Sequence, residues 1–540
     1  MSEIRHIWIR RGEWIMAAGM TAVIAVVHVA NMRRAGGLWR DEAAAVNLAQ
    51  MPSLAEIWEH LEHESFPLFF TMLLRSWSAA GLGESDLALR AFGLVVGLAV
   101  VGVLWWNAWR FSSGPPLISL LLFGLSPIAI RWGDSLRAYG LGVLCILLTL
   151  GTIWQVARSP SLRNVLLAAL SAMLAVQSLY QNAFLVAAIC LGGAVVAVRA
   201  GGLRRALLVI SAGIPAAISL LPYLGVARRA SAWNMATQIP IDLQRIWLVL
   251  HRALSNPGRV MFWLWVVLLV TALVIGCILI ANRKQTPAVK ENGEMACFFI
   301  TIVPAVTIAY YIFLKLVKFP SESWYYLVWM AIIVVAIDAL VARITIGDRL
   351  RLLRLVSAGI LFAALIPGVW QRTFERMTNL DLVAQRLNEA AQENDFVLVH
   401  PWFCGVTFDR YYKGRAVWTT LPPLADVRQQ RLDLFKEQMQ QVGPVRPVLE
   451  KIEAALRGGH TLWLVGNYPF SNPPNPPPAM PRAGEGPEGW RAAPYMMAYG
   501  MEVAYVLQYH VSESALVGVP VATPVNPFEN LPVTAVKGWR

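Results

Sequence analysis

Charge is what this sequence has least of. Asp, Glu, Lys and Arg make up only 15% of its 540 residues, where a soluble globular chain carries roughly 25%, and this argues against a purely water-soluble globule. Acidic residues are the scarcer sign, 33 against 46 Lys and Arg, which gives a net charge of +13. The basic residues form no stripe with interleaved aromatics, so nucleic acid is not an expected partner. They suit loops facing anionic lipid instead. Cysteine is sparse too: Cys145, Cys190, Cys277 and Cys297 lie in or beside apolar runs, and Cys404 stands alone in a polar tail. Without a Cys-x-x-Cys pair, neither a disulfide framework nor a thiolate metal site is expected. A Gly-rich nucleotide loop and an internal repeat are also missing.

What the sequence has instead is long apolar runs. Hydrophobic residues make up 57% of it, and runs such as "MFWLWVVLLVTALVIGCILIA" reach the ~20 residues that span a bilayer. Candidate spans fall at 13–31, 88–109, 116–131, 137–156, 164–180, 182–199, 206–224, 260–281, 296–314, 323–341 and 352–370, about eleven in all. The expected fold is a polytopic α-helical membrane protein. The first run follows Arg5, Arg10 and Arg11 and ends in "HVANMRR" with no small-x-small cleavage site, so it reads as an uncleaved helix.

Sidedness follows from loop charge. With a cytoplasmic N-terminus, and with Phe66–Gly81 as a juxtamembrane helix, "ARSPSLR", "RAGGLRR", "NRKQTPAVK" and "ARITIGDRLRLLR" all fall inside, as the positive-inside rule asks. Residues 32–88, 131–140, 225–259 and 315–323 then face outward, as does everything after Val369. The expected division is a membrane module over 1–370 and an extracytoplasmic domain over 371–540. In that tail, helical patterns alternate with the short apolar runs "FVLVH", "AVWTT", "TLWLVGN" and "VAYVLQY", which reads as a small α/β domain. "YPFSNPPNPPPAMPRAGEGPEGW" is a Pro/Gly-rich loop.

Chemistry concentrates in the outward segments. "GGLWRDEAAAVNLA" sets Asp41 and Glu42 beside Arg40 where the chain leaves the first span. A carboxylate at the border of water and an apolar cavity suits a general base, while the plainer reading is a helix cap at Asp41. The same loop continues through His63 and Glu64 into "FPLFF". Outward turns add Arg90, Arg131, Asp134, Arg137, Tyr139, Tyr180, Lys315 and Lys318. Arg and Lys at this depth are costly unless paired, and a lipid phosphate would pair them, with Arg able to grip it bidentately. Interfacial snorkelling is the alternative for each.

In order, "WRDEA", a juxtamembrane helix, "FPLFF", "ESDLALRAFGLVVGL" and "RWGDSLRAYGLGVLCILL" resemble the GT-C superfamily of membrane glycosyltransferases. Within it the chain is similar to the protein O-mannosyltransferase and aminoarabinose (lipid A) transferase group, over about residues 10–370. The resemblance implies a transferase using a polyprenyl-phosphate-linked sugar donor and an extracytoplasmic acceptor at the inner membrane. It gives Asp41 the role of catalytic base and has Glu42 orient it or contact the acceptor. Arg90 matches the arginine that opens the second span near the lipid phosphate, and Arg137 and Tyr139 match an Arg-x-Tyr element. The chain departs from the pattern at "HESFPLFF", which keeps only Pro67 and Leu68 of a His/Lys-Pro-Pro-Leu signature.

Donor phosphate contacts are thus expected from Arg90, Arg131, Arg137, Lys315 and Lys318. Other substrate contacts are expected from His63, Glu64, Asp134, Tyr139 and Tyr180. No cofactor is required; Asp41, Glu42 and His63 share a loop that leaves room for a divalent metal, with no metal motif. Two other readings are a lipid or polysaccharide transporter and a non-catalytic assembly subunit. The spans are nearly free of charge, with Asp338 the exception, and this favours the transferase.

Overall fold

The computed structural model describes residues 2–112, 114–234, 241–282, 286–344, 347–485 and 491–540. The chain is a polytopic helical membrane protein with a small C-terminal α/β domain. It divides into two compact units. One comprises Met1–Arg33, Ser65–Tyr223 and Pro240–Thr373; the other comprises Arg34–Glu64, Leu224–Ile239 and Phe374–Arg540.

In chain order the first helices are α1 (Ser2–Arg34), α2 (Arg40–Ala49), α3 (Leu54–His60), α4 (Leu68–Trp77), α5 (Asp86–Phe111), α6 (Leu117–Ser119), α7 (Pro127–Gly133) and α8 (Tyr139–Arg158). Among the described residues eight helices are long and apolar enough to cross a membrane, or nine if Leu203–Ile218 and Tyr223–Trp233 form one broken span. The count of about eleven is corrected where helices are short or interrupted. The expected span at 164–180 is a helix of 17 residues, Leu162–Ser178. The one at 116–131 is broken: α6 loosens into a π-turn over Leu120–Gly124, and α7 restarts with Ser126 as its cap and Pro127 in its first turn, the position where a missing N–H costs nothing. Asp338, buried within a span, accepts the Ser119 N–H at 3.2 Å beside that break. It serves a backbone donor that the irregular helix leaves over.

One close approach orders the end of this unit that carries the turn between α7 and α8. A Cβ on Gly93 would lie 1.8 Å from the Asp134 carbonyl oxygen, and one on Gly97 would lie 2.0 Å from Asp134 Oδ1. These glycines, four apart on one face of α5, let the helix touch the turn between α7 and α8. Asp134 is buried there and paired with His28 of α1, Nδ1 to Oδ2 2.7 Å.

The C-terminal domain has a five-stranded sheet of β1 (Phe396–Val399), β2 (Val417–Thr420), β3 (Leu462–Val465), β4 (Val511–Val517) and β5 (Val533–Trp539), in the order β2-β1-β3-β5-β4. β1 is parallel to β2 and β3, and β5 is antiparallel to β3 and β4. Alternate residues of β1 enter two cores, Phe396 and Leu398 with the helices over 432–457 and 492–510, Val397 and Val399 with those over 380–390 and 405–411. Burial on both faces is why β1 and β3 read as unbroken apolar runs.

The expected strand "VAYVLQY" is corrected: it lies within the helix Ala492–His510. Tyr495, Ala498, Tyr499, Val503, Ala504 and Leu507 are buried on one side of it. The 3.6-residue period prevails over the strand-forming composition of the segment.

Candidate active site

The segment that follows α1 lies in the same compact unit as the C-terminal domain, and its local sequence explains how it is held. Gly36 has φ 71°, and a Cβ there would meet the Arg376 guanidinium at 2.5 Å; one on Gly37 would meet Asp381 at 2.8 Å. The glycine pair passes over the ion pair between Arg376 and Asp381. The Ala35 carbonyl accepts the Met377 N–H at 2.8 Å, and the Tyr411 hydroxyl oxygen accepts the Leu38 N–H at 2.6 Å.

α2 then begins with Trp39 as its N-cap residue, so Asp41 is not the cap. The two adjacent carboxylates have different surroundings. Glu42 is fully buried and accepts the Trp39 N–H at 3.4 Å, as the acidic third residue of a helix does. Asp41 keeps 19% of its side chain exposed. Its Oδ1 accepts the Gln430 side-chain amide at 2.6 Å and lies 3.5 Å from Arg40 Nε.

Arg40 points into the C-terminal domain, over the Phe403 ring at 4.5 Å and bonded to the Phe528 carbonyl at 3.2 Å. Its backbone N–H donates to Glu529 Oε2 at 2.9 Å, and Thr378 donates to Oε1 at 3.0 Å. Complete burial pushes the Glu529 carboxyl up to about 7, against the pull of Arg40 and of these hydrogen bonds. Phe403 follows β1 and Gln430 follows β2. α2 thus meets the carboxyl ends of the parallel strands, the edge where open α/β sheets usually hold their ligands.

The segment Asp426–Asp433 carries Gln430 within a chain of ion pairs. Arg431 bridges Asp426 at 2.8 Å and Asp433 at 2.7 Å, and Arg428 bonds Asp426 at 3.1 Å. Burial raises Asp426, yet the hydrogen bonds and charge of Arg428, with the charge of Arg431, hold it at about 2. The Arg428 carbonyl accepts Asn47 of α2 at 2.8 Å. His63 stacks on Trp233 with ring centres 5.4 Å apart and stands 3.8 Å from Asp433. Burial, opposed by Asp433, lowers it to about 4, so it is neutral at physiological pH. Glu64 is half-buried at the end of the turn after α3.

The remaining expected residues lie in the membrane unit. Arg137 is buried, its guanidinium 4.6 Å from the Phe66 ring and bonded to Ser65 at 3.0 Å. Arg90 is buried in α5, and Tyr139 is buried edge-on to Tyr325 at 5.7 Å. Arg131 lies 5.8 Å from the Trp132 ring. Tyr180 is half-buried beside Tyr223 at 5.9 Å. Asp134 is the His28 partner already described. Lys315 is exposed and donates to the Ile241 carbonyl at 2.8 Å. Lys318, also exposed, ends its helix in a left-handed conformation, φ 53°.

Sequence reasoning missed Gln430, Glu529, the Asp426–Asp433 ion pairs and His28. Among the described residues no group of three or more His, Cys, Asp or Glu side chains could hold a metal ion. The donors around Asp41 do not fit a cation either, because an amide N–H and a guanidinium both approach Oδ1.

No family model matches the sequence, and no curated protein sequence does. Among solved structures the fold is similar to that of ArnT from Cupriavidus metallidurans in the apo state, at 13% identity and a TM-score of 0.47, with 97% of each chain covered. It is similar also to the same protein bound to undecaprenyl phosphate, at 12% identity and a TM-score of 0.43, with 97% of this chain and 98% of that one covered. A third likeness is the Archaeoglobus fulgidus oligosaccharyltransferase in complex with Zn and sulfate, at 13% identity and a TM-score of 0.45, covering 82% of this chain and 67% of that one.

Proposed function

We propose that this chain is an inverting glycosyltransferase that moves a sugar from a polyprenyl-phosphate donor to an extracytoplasmic acceptor, with Asp41 as general base. One observation carries the reading. Of the two adjacent carboxylates, Glu42 is buried in capping its helix, while Asp41 keeps exposed surface and is held from the side. The pair divides into a structural carboxylate and an accessible one.

In the proposed step, the Asp41 carboxylate takes the proton of an acceptor hydroxyl or amine. The acceptor oxygen or nitrogen bonds to the anomeric carbon as the bond from that carbon to the phosphate oxygen breaks. The polyprenyl phosphate leaves with the electron pair, through an oxocarbenium-like state. Displacement from the face opposite the leaving group inverts the centre. Arg137 is the residue proposed to meet the donor phosphate first, assisted by Arg90, Arg131, Lys315 and Lys318; cations there stabilise the charge growing on the leaving group. His63, Glu64, Asp134, Tyr139 and Tyr180 are the proposed sugar or acceptor contacts. Undecaprenyl phosphate, which the C. metallidurans ArnT binds, is the class of lipid meant. No step uses a metal. The proposed setting is the inner membrane, with α2 and the C-terminal domain on its outer side.

The test is Asp41→Asn. The amide keeps the shape and cannot take the proton, so purified variant should keep its thermal transition and lose about 10²–10⁴ in turnover. Turnover within about tenfold of wild type would sink the assignment.

A further inference from the structure

A base works only if its lone pairs point at the proton, and a surface aspartate rotates freely unless something stops it. Two groups in the same compact unit approach Asp41 Oδ1: its neighbour Arg40 at 3.5 Å, and Gln430 at 2.6 Å. Gln430 lies 389 residues away in the chain. Arg40 is committed elsewhere, over Phe403 and to the Phe528 carbonyl. The Gln430 contact reaches the carboxylate from outside its own helix and holds it at hydrogen-bond distance.

Gln430 is itself held. It is half-buried between the fully engaged Arg428 and Arg431. Arg428 bonds Asp426 through both Nε and Nη2, and Arg431 spans Asp426 and Asp433 with three different nitrogens. Such forked pairs fix direction as well as distance. Asn47 of α2 bonds the Arg428 carbonyl, so the helix that carries Asp41 and the segment that carries Gln430 are tied at two points. Side chains around a working carboxylate need this kind of support.

From this geometry we infer that Gln430 is a positioning residue for Asp41. Its amide fixes the orientation of the carboxylate, so the C-terminal domain contributes directly to the reaction. The inference rests on the proposed role of Asp41.

The test uses the full-length protein in detergent, with Gln430→Met, which keeps length and removes the donor, and Gln430→Glu, which puts a second carboxylate beside the first. Asp41 is followed without any substrate, as the carboxylate infrared band present in wild type and absent in Asp41→Asn. The position of that band reports the hydrogen bonds the carboxylate accepts. It should shift in both variants, with thermal transitions near wild type. Turnover is then measured with undecaprenyl-phosphate-linked pentose and hexose donors. In both variants kcat should fall while donor KM holds. A purely structural contact would change kcat and donor KM together and leave the band in place. An unmoved Asp41 band in both variants overturns the inference and leaves the general-base assignment standing if Asp41→Asn is inactive. An active Asp41→Asn overturns both.

Discussion

Glu529 brings the residue scale to a measurable quantity. It sits at the N-terminus of α2, where a carboxylate would ordinarily be favoured by the helix dipole, yet it is wholly buried and its carboxyl is raised to about 7. The folded state holds this proton more tightly than the unfolded chain does. The stability it contributes is thus fully present below about pH 4.5 and is lost as pH rises through about 7. Glu529→Gln keeps an oxygen for the Arg40 N–H and removes the titration. Unfolding of variant and wild type in detergent at pH 4.5, 6 and 8 should show the variant gaining, relative to wild type, by up to about 3 kcal/mol across that range. A difference independent of pH would contradict the burial argument. His63 and His400, both lowered to about 4 by burial, act in the opposite sense: they favour the fold above about pH 6.5 and oppose it as pH falls through about 4. The comparison must therefore be variant against wild type, because the net slope of either protein mixes the two effects.

Among the elements, α5 is the one whose packing determines the most. Its face carrying Gly93 and Gly97 meets the turn that holds Asp134 and Arg137, and at Gly93 the obstacle to a side chain is a backbone carbonyl, which no rotamer change can move. Gly93→Ala should destabilise the protein by about 1–3 kcal/mol or more and, by displacing the turn, weaken donor binding through Arg137. Gly102 in the same helix has nothing within 4 Å, so Gly102→Ala should be neutral or mildly stabilising. Opposite signs in two thermal melts would support close packing as the cause, and equal effects would refute it. The same scale explains which elements could be read in advance. β1, β2 and β3 were legible as short apolar runs. β4 and β5 were not: "VSESALV" is an exposed edge with little apolar signal, and "VTAVKGW" mixes buried and exposed positions. Val503–Tyr509 misled because its composition favours strand while its burial follows a helix.

At the scale of the whole molecule, the compact unit that contains the C-terminal domain also takes in the loop after α1, Arg34–Glu64. The loop owes its order to Tyr411, Arg376, Glu529 and Gln430. A chain ending at Thr373 should insert in the membrane and turn over no donor, because α2 loses these partners. Separately supplied Phe374–Arg540 is not expected to restore activity fully. Turnover by the truncated chain would show the loop to be self-sufficient. Reporter cysteines at Ser159 and Lys318 are expected on the inner and outer sides respectively. Lys318 is exposed, so a thiol placed there is open to a reagent. An inward Lys318 would reverse the proposed orientation.

The sequence by itself determined the membrane character, the α/β nature of the tail and the pair Asp41–Glu42 as the place to look. Each of these is written in local signals: apolar length, alternation of short runs, and two adjacent carboxylates after a span. It could not say which carboxylate is structural. That depends on where α2 begins, and the N-cap proved to be Trp39. Nor could it pair Asp41 with Gln430 or His28 with Asp134, partners 389 and 106 residues apart. Hydrogen bonds and ion pairs are formed by side chains that folding brings together. No periodicity or spacing along the chain records them, and only the tertiary structure decided which polar residues support Asp41.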